Sequence, residues 1–227
     1  MTDTLFEEWQ TYKKIVENDY MGHARFFKVS IESIRQRFSA PIAILDLGCG
    51  DASPIHSVLD AVVVDSYCGV DDSESALARA RDNLASRDFP CDLIAGDLID
   101  TASDLTGPFD LIIASYSLHH ILGSERKERL LAECRRMLSD QGLFLVIDVF
   151  RREDEARQAY LQRWELNART KFAALSDAEK NTLIAHIQAS DYPESFSTYQ
   201  TIGKRAGYGE VDSLAEDGLN ALVALKP

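Results

Sequence analysis

The chain has 227 residues, 45% hydrophobic and 27% charged, a composition that suits one globular domain with a substantial core. Its 24 Lys plus Arg stand against 37 Asp plus Glu, a formal charge of -13. A field of that sign repels nucleic acid backbones and anionic membranes, so neither is an expected partner. No apolar run approaches the roughly 20 residues of a membrane span. Residues 1–6 lack the basic-then-apolar order of a secretory leader. The four cysteines, Cys49, Cys68, Cys91 and Cys134, show no paired framework and no zinc-finger spacing. The expected compartment is therefore the reducing cytoplasm, no metal is expected, and Cys68 and Cys91 read as small buried hydrophobes.

The first forty residues read as helical. Phe6, Trp9, Tyr12, Ile15 and Val16 recur at helical spacing. Phe27, Ile31, Ile34 and Phe38 form a second stripe over 26–38, with a break near Gly22. Beyond Pro41 strand and helix alternate. Strands are expected over 42–47, 66–70, 92–95, 109–115 and 143–150, and helices over 53–59, 73–86 and 125–138. Ser53 suits the N-cap of the 53–59 helix, with Pro54 at its first position. Near-continuous apolar strands separated by helices predict a parallel sheet covered on both faces. Residues 151–190 interrupt the alternation with two helices, about 153–174 and 176–190, the second opened by the capping box Ser176-Asp177-Ala178-Glu179. A helix over 196–206, ended by Gly207, precedes strands over 210–214 and 221–225 that flank Glu216-Asp217-Gly218.

The chemistry-bearing residues stand where these strands end. Leu45-Asp46-Leu47-Gly48-Cys49-Gly50 is a glycine-rich turn between the first strand and a helix, where backbone can approach a ligand closely. The second strand ends in Asp71-Asp72, about twenty residues on, where a carboxylate takes both hydroxyls of a ribose. Asp71 also stands where it can cap the helix from Ser73, as Asp46 can cap a turn. The third strand ends in Asp97, and the fourth in Ser115-Tyr116-Ser117-Leu118-His119-His120. Polar residues thus gather at the carboxyl ends of four strands, where open α/β sheets bind ligands.

With Leu45 to Gly50, Gly69-Val70-Asp71, Gly96-Asp97-Leu98, Phe109-Asp110-Leu111-Ile112, Leu118-His119-His120 and residues 138–147 in this order, the sequence resembles the class I S-adenosylmethionine-dependent methyltransferases that act on small molecules. The likeness is strong over about 40–150 and looser over 195–227. Ala52 stands where the family often has glycine. The resemblance implies a doubly wound, Rossmann-like α/β fold. Its sheet would have seven mostly parallel strands in the order 3-2-1-4-5-7-6, with the last strand antiparallel. Residues 1–40 would form a helical lid and 41–150 the cofactor-binding core. Residues 151–190 would be an insertion shaping the substrate site, and 191–227 a helix and hairpin completing the sheet.

The resemblance also implies S-adenosylmethionine as cofactor and S-adenosylhomocysteine as product. Cofactor contacts would fall on Asp46, Gly48, Cys49, Gly50, Asp71, Asp72, Asp97, Leu98, Ser115 and Tyr20. Gly48 and Gly50 would pass under the methionine moiety and Asp46 would orient its amino group. Asp71 would hold the ribose, Asp97 the adenine amino group with Leu98 against the ring, and the Ser115 carbonyl the methionine end. In an in-line methyl transfer the protein must bind, align and desolvate. His119 and His120 titrate near neutral pH and are candidate general bases, or pocket lining together with Tyr116. Tyr160, Trp164 and Phe172 are further pocket candidates, or pins for the insertion's helices. Tyr20, Met21 and His23 form either a lid or a solvent-facing loop.

No Asn-Pro-Pro-Tyr type signature follows the fourth strand, which argues against amide- and base-amino-methylating branches. The expected acceptor is a small or medium organic molecule, and the expected assembly a monomer or homodimer. Two rival readings are a non-catalytic S-adenosylmethionine-binding or protein-partner module and a nicotinamide-dependent oxidoreductase. The second wants G-x-G-x-x-G, but that frame ends here at Ser53.

Overall fold

The computed structural model describes residues 2–227, with side chains from Gln10 onward; Phe6 and Trp9 of the first helical stripe lie outside those described side chains. Strands β1 (Ile42–Leu47), β2 (Val64–Asp71), β3 (Cys91–Ala95), β4 (Phe109–Ser115) and β5 (Leu138–Arg151) pair in parallel. Strand β8 (Asn220–Lys226) runs antiparallel to β5 and to β7 (Glu210–Glu216). The spatial order is β3-β2-β1-β4-β5-β8-β7, which is the expected arrangement. One element was not anticipated: the two-residue β6 (Glu194–Ser195), which pairs with Phe150 and Arg151 and is too short to carry a periodicity.

Each central strand sends alternate residues to opposite faces. Leu45, Leu47, Ile112, Ala114 and Val146 pack under α5 (Leu98–Asp104), α6 (Ser124–Met137) and α9 (Phe196–Arg205). Ile44, Leu111, Ile113, Leu145 and Ile147 pack under α2 (His23–Arg37), α3 (His56–Leu59) and α4 (Glu74–Leu84). Helix α2 is therefore a layer helix. Of the expected 1–40 lid, α1 (Thr2–Glu17) and the turn after it lie outside that layer.

A third cluster joins Ile15 of α1 to α7 (Arg157–Lys171) and α8 (Asp177–Ser190), and packs on Val149 near the carboxyl end of β5. The 151–190 helices thus stand at the carboxyl edge of the sheet. The Ser176 capping box forms, with the Glu179 carboxylate accepting from the Ser176 amide at 2.8 Å.

Four local expectations are corrected. Helix α5 follows β3 directly; it has seven residues with only Ile99 and Ala102 buried, too few for a readable stripe. Helix α3 starts at His56, because Asp51 draws the Ser53 amide and hydroxyl into a turn that also holds Pro54. Strand β5 starts at Leu138, paired with Phe109, so α6 stops at Met137. Cys91 is exposed because it opens an edge strand, whereas Cys68 is buried as expected. Among the described residues no helix is long and apolar enough to cross a membrane.

Candidate active site

The carboxyl ends of β1 to β4 border a cavity of about 430 Å3. That lies within the ~300–1,000 Å3 typical of small-molecule sites. Its wall takes Asp46, Gly48, Cys49 and Gly50 from β1 and its turn, and Asp71 and Asp72 from the end of β2. Asp97 and Leu98 follow β3, and Ser115, Tyr116 and His120 come from the end of β4 and the segment after it. Asp97 and Ser115 mark the outer two of four neighbouring strands, so the cavity spans three strand spacings, ~14 Å.

The two glycines of the turn serve different purposes. Gly48 has φ +73°, and a Cβ there would stand 2.3 Å from Ser117 Cβ, so packing alone demands glycine. Gly50 has φ +54°, and a Cβ there would meet nothing within 4 Å. It leaves cavity space for a ligand to approach backbone. The turn is held from below, with the Gly48 and Cys49 amides both donating to the Val70 carbonyl, at 2.8 and 3.0 Å. Cys49 is buried and burial raises its thiol pKa, so it lines the wall as a neutral group.

Three carboxylates face this turn with different partners. Asp46 is buried and accepts from the Tyr67 hydroxyl at 2.8 Å. Burial pushes its carboxyl up to about 7, against the Tyr67 hydrogen bond and helped by the charge of Asp71. Asp71 Oδ2 accepts from the Gly50 amide at 2.8 Å and Oδ1 from the Ser73 amide at 2.9 Å. Each oxygen keeps a second lone pair. Asp97 caps α5, its Oδ1 accepting from Ile99 and Asp100 at 2.9 and 3.1 Å, while Oδ2 lies 3.9 Å from Arg126.

Among the described side chains of α1, Tyr12 reaches the wall; the residue is 39% exposed, and desolvation at its hydroxyl together with the charges of Asp51, Asp46 and Asp71 raises the hydroxyl pKa. In sequence Tyr12 shows only as part of a helical stripe. Tyr20, expected at the cofactor, lies elsewhere. It stacks on Phe172 at 4.5 Å between ring centroids, and its hydroxyl accepts from the Ala174 amide at 2.7 Å. Tyr160, Trp164 and Phe172 are likewise off the wall, buried in the third cluster with Trp164 edge-on to Phe172. Trp164 and Phe172 pin the insertion by mutual burial of their rings, while Tyr160 is buried beside them with its hydroxyl unpartnered.

Tyr116 sits on the wall with φ +54°, a left-handed conformation that a bulky residue holds only at a cost of ~1–3 kcal/mol. Its hydroxyl donates to the Met21 carbonyl, and its ring lies 4.7 Å from that of His23. His23 is buried with both ring nitrogens unpartnered, and burial lowers its pKa to about 4. The Ser115 hydroxyl is also buried without a partner.

The adjacent histidines part company. His120 lines the cavity; burial and the neighbouring His119 lower its pKa to about 4. His119 is off the wall, buried, with Nδ1 2.5 Å from Asp148 Oδ1. Burial opposes its charge, but Asp148 and Asp191 outweigh that and raise its pKa. Sequence reasoning passed over Asp148 and Asp191. The available signal for the first was a single carboxylate inside the otherwise apolar Leu143 to Phe150 run. Lys127, only 1% exposed, ties this corner by donating to the Ile121 and Tyr192 carbonyls at 2.8 and 2.6 Å.

A doubly wound sheet with a glycine turn and acidic strand ends around one cavity defines an α/β protein built to hold a nucleoside-bearing cofactor at its carboxyl edge. Residues 45–144 match the family model of a methyltransferase domain, a match that supports the class I S-adenosylmethionine-dependent methyltransferase family, with S-adenosylmethionine as cofactor. It is 26% identical over 205 residues to the carboxy-S-adenosyl-L-methionine synthase of Shewanella sp. (strain W3-18-1), covering 87% of this chain and 81% of that one. It is 33% identical over 107 residues to the trans-aconitate 2-methyltransferase of Acidovorax sp. (strain JS42), covering 47% and 38%. A solved structure described as PigF with SAH superposes with a TM-score of 0.58 at 21% identity, over 84% of this chain. This chain spans about half, 52%, of that one.

Proposed function

We propose that the chain transfers the methyl group of S-adenosylmethionine to a small or medium organic acceptor that binds beside Tyr116 and His120. The observation that carries this reading is one cavity reaching from Asp97 across Asp71 and Gly50 to Ser115 and His120. The cofactor, when bound, supplies an activated methyl group on a sulfonium; the chain must place it. Asp71 has one lone pair left on each oxygen for the ribose hydroxyls. Asp46, buried and easily protonated, ionises against an ammonium group. Asp97 Oδ2 serves the adenine amino group, with Leu98 against the ring and Asp72 at the rim. Gly50 leaves room for the methionine chain, and the Ser115 carbonyl receives its end. His120 is a neutral imidazole on the wall, placed to hydrogen-bond an acceptor hydroxyl or amine; its lowered pKa makes it a weak base. His119 acts from behind as a positioning residue. The charge of -13 supports an acceptor other than nucleic acid.

The relative whose name describes a carboxylated cofactor motivates a second reading, in which the cofactor's methyl carbon gives up a proton and takes a carboxyl group from a small carboxylic acid, which is left with hydrogen in its place. A carboxylate at the methyl group needs a cation near the β4 end of the cavity. Among the described residues the Lys or Arg on the wall is Arg126, and it pairs with Asp97 at the β3 end. Methyl transfer is favoured on that ground. Incubation with methyl-labelled cofactor and pooled small acids, alcohols and amines tests the choice by mass spectrometry. Acceptor-dependent release of S-adenosylhomocysteine supports methyl transfer. A cofactor heavier by a carboxyl group supports the second reading, and binding without either product marks a non-catalytic module.

A further inference from the structure

Three of the chain's five histidines meet where the segment after β4 touches the end of α8. The ring centroids of His119 and His120 are 4.0 Å apart, and that of His186 lies 5.7 Å from His120. One donor atom each from His119, His120 and Asp191 lies within 4.8 Å of the others. His119 Nε2 and His120 Nδ1 stand 3.7 and 3.8 Å from Asp191 Oδ1. These spacings are too long for hydrogen bonds. They approach the ~3.3 Å between two donors of a tetrahedral ion with bonds of ~2.0–2.1 Å.

Two further observations point to a ligand. Asp191 is 2% exposed, yet its Oδ1 has no hydrogen-bond partner. A buried carboxylate oxygen left this way is costly, and a cation among the three donors would satisfy it. His119 Nδ1, meanwhile, is held at 2.5 Å by Asp148, the carboxylate–imidazole pairing that orients ligating histidines. The frame is rigid. The Tyr192 amide donates to the His119 carbonyl at 2.7 Å, and Arg157 donates to the Asp191 carbonyl at 2.6 Å. His120 Nδ1 also lies 3.3 Å from the Ser190 carbonyl, a weak contact that it would give up on ligation.

We propose that His119, His120 and Asp191 form a binding site for a divalent transition ion of the zinc type, with Asp148 orienting His119. Two imidazoles and one carboxylate suit such an ion better than magnesium, which prefers oxygen alone. Three protein donors leave a coordination position open. Since His120 lies on the cavity wall, an oxygen-bearing acceptor is the class of molecule placed to take it.

The test is a zinc titration of the full chain, stripped with chelator and dialysed, in competition with a chromophoric chelator, with magnesium run in parallel. The expected result is one zinc per chain at sub-micromolar affinity and no competition from magnesium. Asp191→Asn and His120→Ala should each weaken zinc at least tenfold. His120 has a side chain 44% exposed, so its variant keeps the fold should Asp191→Asn lose it. Cobalt in place of zinc should give a visible d–d absorption band that His120→Ala alters. No zinc binding by the folded wild type overturns the proposal, as a proton or water bridging the three groups would produce that result. Zinc binding that survives both variants overturns it as well. Zinc bound by a chain that transfers no methyl group supports the site and counts only against the transfer reading.

Discussion

The Gly50 amide donates to Asp71 Oδ2 at 2.8 Å, tying the glycine turn after β1 to the carboxyl end of β2. The other oxygen of Asp71 holds the first turn before α4 through Ser73. One side chain therefore fixes two edges of the cavity before any ligand arrives, and ligand binding need not spend free energy ordering them.

Asp71→Ala should weaken S-adenosylhomocysteine binding at least tenfold, because it removes two acceptors for the ligand and releases the turn. Charge-assisted bonds of this kind contribute roughly 1.5–3 kcal/mol each. Isothermal titration calorimetry reads the change, and an unaltered affinity would show that the ribose is held elsewhere.

Asp46 should give binding and stability opposite pH dependences. Its carboxyl titrates near 7 in the folded chain, against ~3.9 when unfolded. Between those values the folded state holds a proton that the unfolded state has lost. The ligand-free chain therefore loses stability as pH rises from about 4 to about 7. A bound ammonium favours the ionised form, so S-adenosylhomocysteine affinity should rise with pH through about 7. Asp46→Asn should flatten both slopes. Calorimetry and urea melts at about pH 6 and about pH 8 compare them, and a variant with the wild-type slopes would assign the titration to another group.

His23 acts in the other direction. Its folded pKa of about 4 lies below the 6.5 of a free imidazole. The unfolded chain therefore takes up a proton first, and stability falls as pH drops from 6.5 to about 4, by at most about 3 kcal/mol. His23→Phe keeps a ring against Tyr116 and removes two unpartnered nitrogens. It should raise Tm and shrink the acid loss. If thermal melts at about pH 7 and about pH 5 fall by the wild-type amount, the acid sensitivity comes from elsewhere.

Trp164→Ala should behave as a core truncation. Trp164 packs edge-on against Phe172 between α7 and the loop before α8, so about 3–5 kcal/mol should be lost. S-adenosylhomocysteine affinity, measured on the cold folded variant, should stay within about threefold, since the proposed reading places the cofactor contacts on the Gly50 to Asp97 wall. A collapse of affinity with stability intact would place Trp164 on the ligand.

Much of this architecture was legible in the chain. The apolar strand runs, the acidic strand ends and the Gly48-Cys49-Gly50 turn all depend on local pattern, and the sheet order and cavity followed from them together with the family likeness. The misses share a physical cause. Tyr12 and Tyr20 sit on or just past the same helix, and only the docking of α1 decides that the first reaches the cavity while the second stacks on Phe172. Trp164 and Phe172 carry no mark that separates a pocket from a pin. Asp148 and Asp191 are lone carboxylates in unrelated elements, brought to His119 only by the fold. Cys91 reads as interior by its neighbours, but an edge strand leaves one side unpaired.

The most direct measurement titrates S-adenosylhomocysteine into the wild type and into Gly50→Asn. Asparagine tolerates a φ of +54°, and its side chain would enter space where no protein atom lies within 4 Å of the new Cβ. The variant should melt close to the wild type. The account predicts one site per chain in the wild type and binding at least tenfold weaker in the variant. Failure of the wild type to bind, or equal affinity in both proteins, would contradict it.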